Sequence, residues 1–127
     1  MYTQDNSANQ PVDVPFAMYD AFTNVPYSGS QAAVVLNASH IPTESRARIA
    51  REIGVPATAF VNSINGNRIE VQFFSTVMEL PMCGHGTVCL ITRLVNQGLL
   101  SSNARTWKEV TLVLPGREAN VEYRLDQ

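Results

Sequence analysis

Six short β-rich runs, each bounded by turn residues, predict six β-strands along the chain. The runs cover residues 16–22, 32–36, 58–64, 68–75, 110–114 and 119–125. The third and fourth runs flank Asn65-Gly66-Asn67, and an Asn-Gly pair between two strands is the strongest short-range signal of a β-hairpin. The last two are joined by Pro115-Gly116-Arg117-Glu118, which predicts a second hairpin.

Two further segments have the longer hydrophobic period of an α-helix. Between residues 42 and 53, alanine or isoleucine recurs every three residues, and Gly54 follows as a C-terminal cap. A second predicted helix extends from about Thr87 to Gln97 and is closed by Gly98. It is apolar on most sides, which is typical of a buried helix. Together these elements predict an α+β domain in which a largely antiparallel sheet curls around one central helix.

The composition narrows the class of protein. A length of 127 residues fits one domain with a single core. The formal net charge is −2, and the one basic run, residues 46–51, is interrupted by apolar residues and is interpreted as a solvated helix face. We therefore expect no nucleic-acid partner. Residues 1–15 are polar and lack the features of a signal peptide, which predicts a disordered leader ahead of a domain over residues 16–127. Since no apolar run is long enough to cross a membrane, we expect a cytoplasmic protein without a membrane partner.

The two cysteines are interpreted as reduced thiols. Cys83 and Cys89 lie six residues apart around one predicted helix start. In a regular helix that spacing separates them by roughly 9 Å along the axis and puts them on different faces, too far apart for a disulfide. His40 and His85 are the only histidines, and no two ligand-type residues have zinc spacing. We therefore expect no metal.

The junction between residues 79–87 and the second helix is the strongest candidate site. Gly84 and Gly86 permit close approach of a ligand to the backbone, and the helix that follows directs free N–H groups toward the turn. A carboxylate or phosphate group would be held there. The same field favours a thiolate at Cys83, and His85 is a second titrating group. The alternative is structural, because glycine-flanked helix starts are common and most cysteines near apolar helices are small buried hydrophobes.

Seven short motifs follow one another along the chain. They are Asp20-Ala21-Phe22-Thr23, Pro26-Tyr27-Ser28-Gly29, Ala32-Ala33-Val34-Val35, Ile49-Ala50-Arg51-Glu52-Ile53-Gly54, Thr58-Ala59-Phe60-Val61, Val71-Gln72-Phe73-Phe74-Ser75 and the run from Glu79 to Thr87. In these motifs and their order, the chain from about residue 16 to its end resembles the first half of the PhzF-like proteins of the diaminopimelate-epimerase superfamily. The resemblance implies a single lobe of the diaminopimelate-epimerase-like fold.

Proteins of that family have two similar lobes, each a sheet wrapped around a helix, and hold the substrate in the cleft between them. The resemblance implies that this chain corresponds to the first lobe. The cleft would then be completed by a second polypeptide, by a second copy of this chain in a dimer, or not at all. It also implies that the face toward the second lobe is apolar, and such a face would be exposed in a monomer.

The resemblance also assigns site residues. In the family a catalytic glutamate moves a proton between carbon atoms of the substrate, and Ala57 occupies its place here. Ser30-Gln31 replaces the usual Asn-Pro. Cys83 stands where cofactor-independent racemases and epimerases of this fold place one of two opposed thiols. Cys83 is thus implied as a catalytic residue, and His85, the second titrating group of the same turn, is the other predicted catalytic residue. The implied substrate contacts are Asp20, Ser30, Ala57, Gly84, Gly86 and Thr87.

Two functions follow as hypotheses. The first is a cofactor-independent isomerase, epimerase or cyclase that acts on a small anionic or carboxylated metabolite of secondary metabolism. Loss of the glutamate favours a reaction that depends on shape and hydrogen bonding, such as a cyclisation in a preorganised pocket. The second is a binding or scaffold subunit that keeps the anion turn and has lost the chemistry at Ala57. The sequence identifies no particular substrate.

Overall fold

The computed structural model describes residues 16–21, 30–101 and 105–124, and of residues 17–21 and 30 it describes the backbone alone. The predicted leader, residues 1–15, lies outside the described residues. The elements in chain order are β1 (Ala17–Ala21), β2 (Ser30–Val35), a 3₁₀ turn (Ala38–His40), α1 (Thr43–Ile53), β3 (Ala57–Asn65), β4 (Arg68–Phe74), β5 (Glu79–Leu80), α2 (Gly84–Asn96), β6 (Lys108–Leu114) and β7 (Arg117–Tyr123). No helix in these ranges is long and apolar enough to span a bilayer.

The strands form one mixed sheet in the order β1-β2-β3-β4-β6-β7, and β5 pairs with β4. Four pairings are antiparallel, between β1 and β2, β3 and β4, β4 and β5, and β6 and β7. The pairings of β2 with β3 and of β4 with β6 are parallel. Each parallel pair is joined through a helix, because parallel strands need a long crossover connection. The predicted α+β class with a mostly antiparallel sheet is confirmed.

Both predicted hairpins are present. In the first, Asn65 is opposite Arg68, so the turn consists of Gly66 and Asn67, and Gly66 adopts a φ of 63°. That left-handed conformation favours glycine, since a Cβ would clash with the following carbonyl. In the second hairpin, Leu114 is opposite Arg117. The connection is therefore two residues long, shorter than the four predicted.

The two faces of the sheet bury different sets of side chains. Successive residues of β3 point to opposite sides, so Ala59 packs toward α2 while Phe60 packs toward α1. The α2 side holds the larger core, which includes Leu90 and Leu94 of the helix together with residues of β2, β3, β4, β6 and β7. On the α1 side, the rings of Phe60 and Phe74 meet edge to face with centroids 5.6 Å apart.

The basic run on α1 is not a uniformly solvated face. Arg48 and Arg51 are exposed, but Arg46 is only 5% exposed and lies over the Phe60 ring. Its guanidinium donates to the backbone oxygens of Ala38 and Ile41, at 2.6 and 3.0 Å. The solvated interpretation is therefore wrong for Arg46. It failed because the acceptors that make burial of this cation tolerable come from other elements.

The second helix begins at Gly84, three residues before its predicted start. Its buried face consists of Gly86, Thr87, Cys89, Leu90, Ile91 and Leu94. Val88 in its second turn is 39% exposed, so the helix is not covered on all sides in this chain. The early start has a direct consequence for the candidate site, because both glycines of the predicted turn lie within the first helical turn.

Candidate functional site

Cys83 is the N-cap residue of α2. Its backbone is extended, with φ −145° and ψ 116°, and no side chain caps the helix. The Cys83 carbonyl oxygen accepts two hydrogen bonds from Thr87, one from the backbone N–H at 2.9 Å and one from the hydroxyl at 2.7 Å. Both donors of Thr87 are thus occupied and the residue is buried. The expectation that the Thr87 N–H binds an anion is wrong.

Three other backbone N–H groups remain available at this helix start. Those of Gly84, His85 and Gly86 precede the first intrahelical hydrogen bond, and none has an acceptor among the described residues. Together with the helix dipole they favour an anion at this end of α2. The arrangement can hold a carboxylate or a phosphate.

The two glycines have different roles. Gly84 is exposed, and a Cβ built there would have no heavy atom within 4 Å. Gly86 is buried, and a Cβ there would lie 3.1 and 3.2 Å from two ring carbons of Phe73 and 3.3 Å from the Cβ of Cys83. Gly86 therefore permits close packing of the helix on β4, and its role as a substrate contact through the backbone N–H stays a prediction.

The Cys83 thiol contacts the His85 imidazole. The distance from Sγ is 3.5 Å to Nδ1 and 3.9 Å to Nε2. Cys83 is 8% exposed and His85 is half-buried, so the pair lies at the boundary between core and solvent. A thiol and an imidazole at this distance can exchange a proton, which is the chemistry expected of an acid/base pair. The structure thus brings together the two residues predicted as catalytic.

The remaining predicted contacts lie around the neighbouring ends of three strands. Asp20 is opposite Gln31 and Ser30 is opposite Ala21 in the β1–β2 ladder, and Ala32 is paired with Ala57 of β3. The side chains of Asp20 and Ser30 lie outside the described residues. Ala57 is 0% exposed and packs in the α2-side core, so its prediction as a substrate contact is wrong for this arrangement. Its methyl group has no surface to offer a ligand.

Sequence reasoning missed two residues beside the predicted ones. Phe73 forms the wall against which Gly86 packs, and Arg46 anchors α1 to the sheet. Local pattern carries no signal for either contact, because each partner belongs to an element distant in sequence. Within the described ranges, no three His, Cys, Asp or Glu side chains gather as a metal site requires.

Comparison with known proteins agrees with the motifs and the fold. The sequence model of the phenazine biosynthesis-like protein family, PhzC-PhzF, matches residues 19–115. This chain belongs to that family. An "Uncharacterized isomerase" of Deinococcus radiodurans is 32% identical to this PhzC-PhzF family member over 110 residues, which are 87% of this chain and 33% of that protein. The trans-2,3-dihydro-3-hydroxyanthranilate isomerase of Pseudomonas fluorescens is 32% identical over 98 residues, 76% of this chain and 34% of that protein.

Solved structures of the PhzC-PhzF family have the same fold. The phenazine biosynthesis protein of the PhzF family from Bacillus anthracis superposes with a TM-score of 0.76 at 32% identity, over 90% of this chain and 37% of that one. A predicted epimerase from Pseudomonas aeruginosa gives a TM-score of 0.77 at 18% identity, which shows the fold alone. The chain spans about one third of the length of the curated relatives it matches.

Proposed function

We propose that this chain supplies one wall of the active site of a cofactor-independent isomerase that acts on a small carboxylated metabolite. The observation that carries the proposal is the contact of the Cys83 thiol with the His85 imidazole, beside the free N–H groups at the start of α2. Family membership supports the reaction class, since relatives in this family are named isomerases. Secondary metabolism is the proposed setting, because the family is described by phenazine biosynthesis.

The chemistry assigns one task to each group. The N–H groups of Gly84 and His85 bind the substrate carboxylate and stabilise the negative charge that develops beside it. His85 takes the thiol proton of Cys83, and the thiolate then removes a proton from the adjacent substrate carbon. The electron pair left on that carbon is delocalised toward the carboxylate. A second acid returns a proton to another carbon or to the opposite face, which completes the isomerisation.

The second acid is proposed to come from a second lobe, in another polypeptide or in a second copy of this chain. The matched relatives are about three times as long as the stretch they share with it, which supports a further lobe in the working enzyme. Exposed apolar side chains support a covering surface. Val77 is 81% and Met78 59% exposed, in the loop between β4 and β5 that precedes Cys83.

The Val77–Met78 loop is held by Ser75. The Ser75 hydroxyl accepts hydrogen bonds from the N–H groups of Val77 and Met78, both at 3.1 Å. The Ser75 N–H donates to the Met78 carbonyl oxygen at 2.8 Å. The two apolar side chains are thus presented to solvent on an ordered turn.

We expect the chain to associate at working concentration, because an apolar face with nothing to cover it favours a partner. Light scattering should give a mass above the 14.0 kDa of one chain, or affinity capture from the source organism should recover a partner that resembles a second lobe. A single-chain mass together with an empty capture would contradict the second-lobe proposal.

Exchange of solvent deuterium tests the proton transfer. The assembled protein, incubated with small carboxylated substrates in D₂O, should introduce deuterium into the substrate. Cys83→Ser should lower that rate by more than about a hundredfold, a loss of roughly 2.7 kcal/mol in transition-state stabilisation, because a serine hydroxyl is a far weaker acid. Cys89→Ser is the matched control, since it makes the same substitution at the cysteine inside α2. This variant should keep most of the rate of deuterium incorporation.

Two other outcomes separate the alternatives. A cyclase that acts by shape and polarisation would form product without deuterium, and Cys83→Ser would leave its rate nearly unchanged. A binding or scaffold subunit, which the apolar Ala57 favours, would bind the carboxylate without turnover. Either result would overturn the proposed proton transfer.

A further inference from the structure

A polar groove lies on the α1 side of the sheet, where α1, β3, β4 and the end of β6 meet. Its volume is about 210 Å³. Thr43, Arg46, Asn62, Glu70 and Gln72 line it, and the segment 113–115 closes one side. Phe60 and Phe74 form the core of this side of the sheet, whereas Cys83 belongs to the core on the α2 side. The groove is therefore separate from the Cys83 site, and its role does not rest on the proposed function.

Hydrogen bonds within the groove leave a surplus of donors. Arg46 has five N–H groups, and four of them donate to Ala38, Ile41, Gln72 and Asn62. The fifth has no acceptor among the described residues. Arg46 occupies the side-chain oxygens of both Gln72 and Asn62, so their NH₂ groups are left as donors, again with no acceptor in the described ranges. A ligand that satisfies these three groups must be rich in acceptors.

The charge on Arg46 leads to the same conclusion. Arg46 is 5% exposed as a residue. Within the described residues the side-chain ion pair joins Arg68 and Glu118 on the surface, and no carboxylate pairs with Arg46. Burial lowers the pKa of Arg46 below its usual value, and the charges of Glu70 and Glu79 oppose this shift from a distance. A buried cation without an anion in contact is costly, and an oxyanion in the groove would offset that cost.

We propose that this groove binds a small oxyanion of the carboxylate or phosphate type through Arg46, Asn62 and Gln72. Glu70 is exposed at the groove and repels such a ligand. An anion small enough to contact Arg46, Asn62 and Gln72 without approaching the Glu70 carboxylate therefore binds best.

Titration with inorganic phosphate and with acetate at constant ionic strength tests the proposal, with chloride as the reference. The side-chain NMR signals of Arg46 Nε–H and of the Asn62 and Gln72 NH₂ groups should shift with saturation. The stronger of the two anions identifies the ligand type. The amide signals of Gly84 and His85 report separately on the start of α2, so the two sites are distinguished. Shifts that chloride reproduces would overturn the proposal.

Two pairs of variants sharpen the test. Thr43 lines the groove and Ser45, in the same helical turn, does not. Thr43→Tyr should weaken binding about tenfold by narrowing the groove, and Ser45→Tyr should leave it unchanged. Glu70→Gln should tighten binding about threefold because a like charge is removed, whereas Glu109→Gln, at an exposed position away from the groove, should not. Equal effects within either pair would contradict the site.

Discussion

Gly86→Val is expected to lower the free energy of unfolding by about 3 kcal/mol. The first added carbon already lies 3.1 Å from the Phe73 ring and 3.3 Å from the Cβ of Cys83, and valine adds two methyl groups to that contact. Phe73 is 0% exposed in the core on the α2 side, and close packing of protein interiors leaves a displaced ring little room. Urea denaturation followed by circular dichroism measures the change.

Gly84→Val is the matched control for this prediction. The same side chain enters the same helical turn, at a position where a Cβ meets nothing within 4 Å. Stability should change by less than about 0.5 kcal/mol, since valine has a slightly higher helix propensity than glycine. Equal losses of stability at both positions would show that the contact with Phe73 is not the cause.

Arg46→Met should lower the free energy of unfolding by about 3 kcal/mol. Methionine fills a similar volume but donates no hydrogen bond, so the carbonyl groups of Ala38 and Ile41 and the side chains of Asn62 and Gln72 lose their donor. These four groups belong to the 3₁₀ turn, the segment before α1, and strands β3 and β4. Arg46 therefore links the 3₁₀ turn and the segment before α1 to strands β3 and β4.

Arg48→Met provides the comparison on the same helix. Arg48 is exposed, and its replacement should change stability by less than about 0.5 kcal/mol. Thermal unfolding of both variants beside the natural chain measures the difference. Equal stability of Arg46→Met and Arg48→Met would mean that water in the groove satisfies the freed acceptors. The hydrogen bonds of Arg46 would then not be what anchors α1 to the sheet.

Local sequence was sufficient for most of the fold. The hairpin at Gly66 and the C-terminal cap at Gly54 depend on left-handed backbone, which glycine adopts at little cost, so both could be predicted from neighbouring residues. The start of α2 could not, because glycine has a low helix propensity and the contact that packs Gly86 into the core comes from Phe73 in β4. The parallel pairing of β4 with β6 also depends on contacts distant in sequence.

The candidate site was predictable in part for the same reason. Cys83 and His85 are two residues apart at one helix start, so their contact follows from local geometry. The packing of Gly86 depends on Phe73 in β4, and that of Ala57 depends on its pairing with Ala32 in β2. Both neighbours are distant in sequence. A pattern of residue types cannot distinguish a glycine that admits a ligand from one that admits a phenyl ring.

The turn held by Ser75 has a consequence for the proposed association with a second lobe. Fixing the backbone of one residue costs about 1–2 kcal/mol of conformational entropy. Because the hydroxyl of Ser75 already orders the backbone around Val77 and Met78, that cost is met when the chain folds and not when a partner arrives. A surface that covers the loop has only two apolar side chains to immobilise. Replacement of Ser75 is therefore expected to weaken a complex formed through this loop by slowing association, although Ser75 lies outside the Cys83–His85 pair.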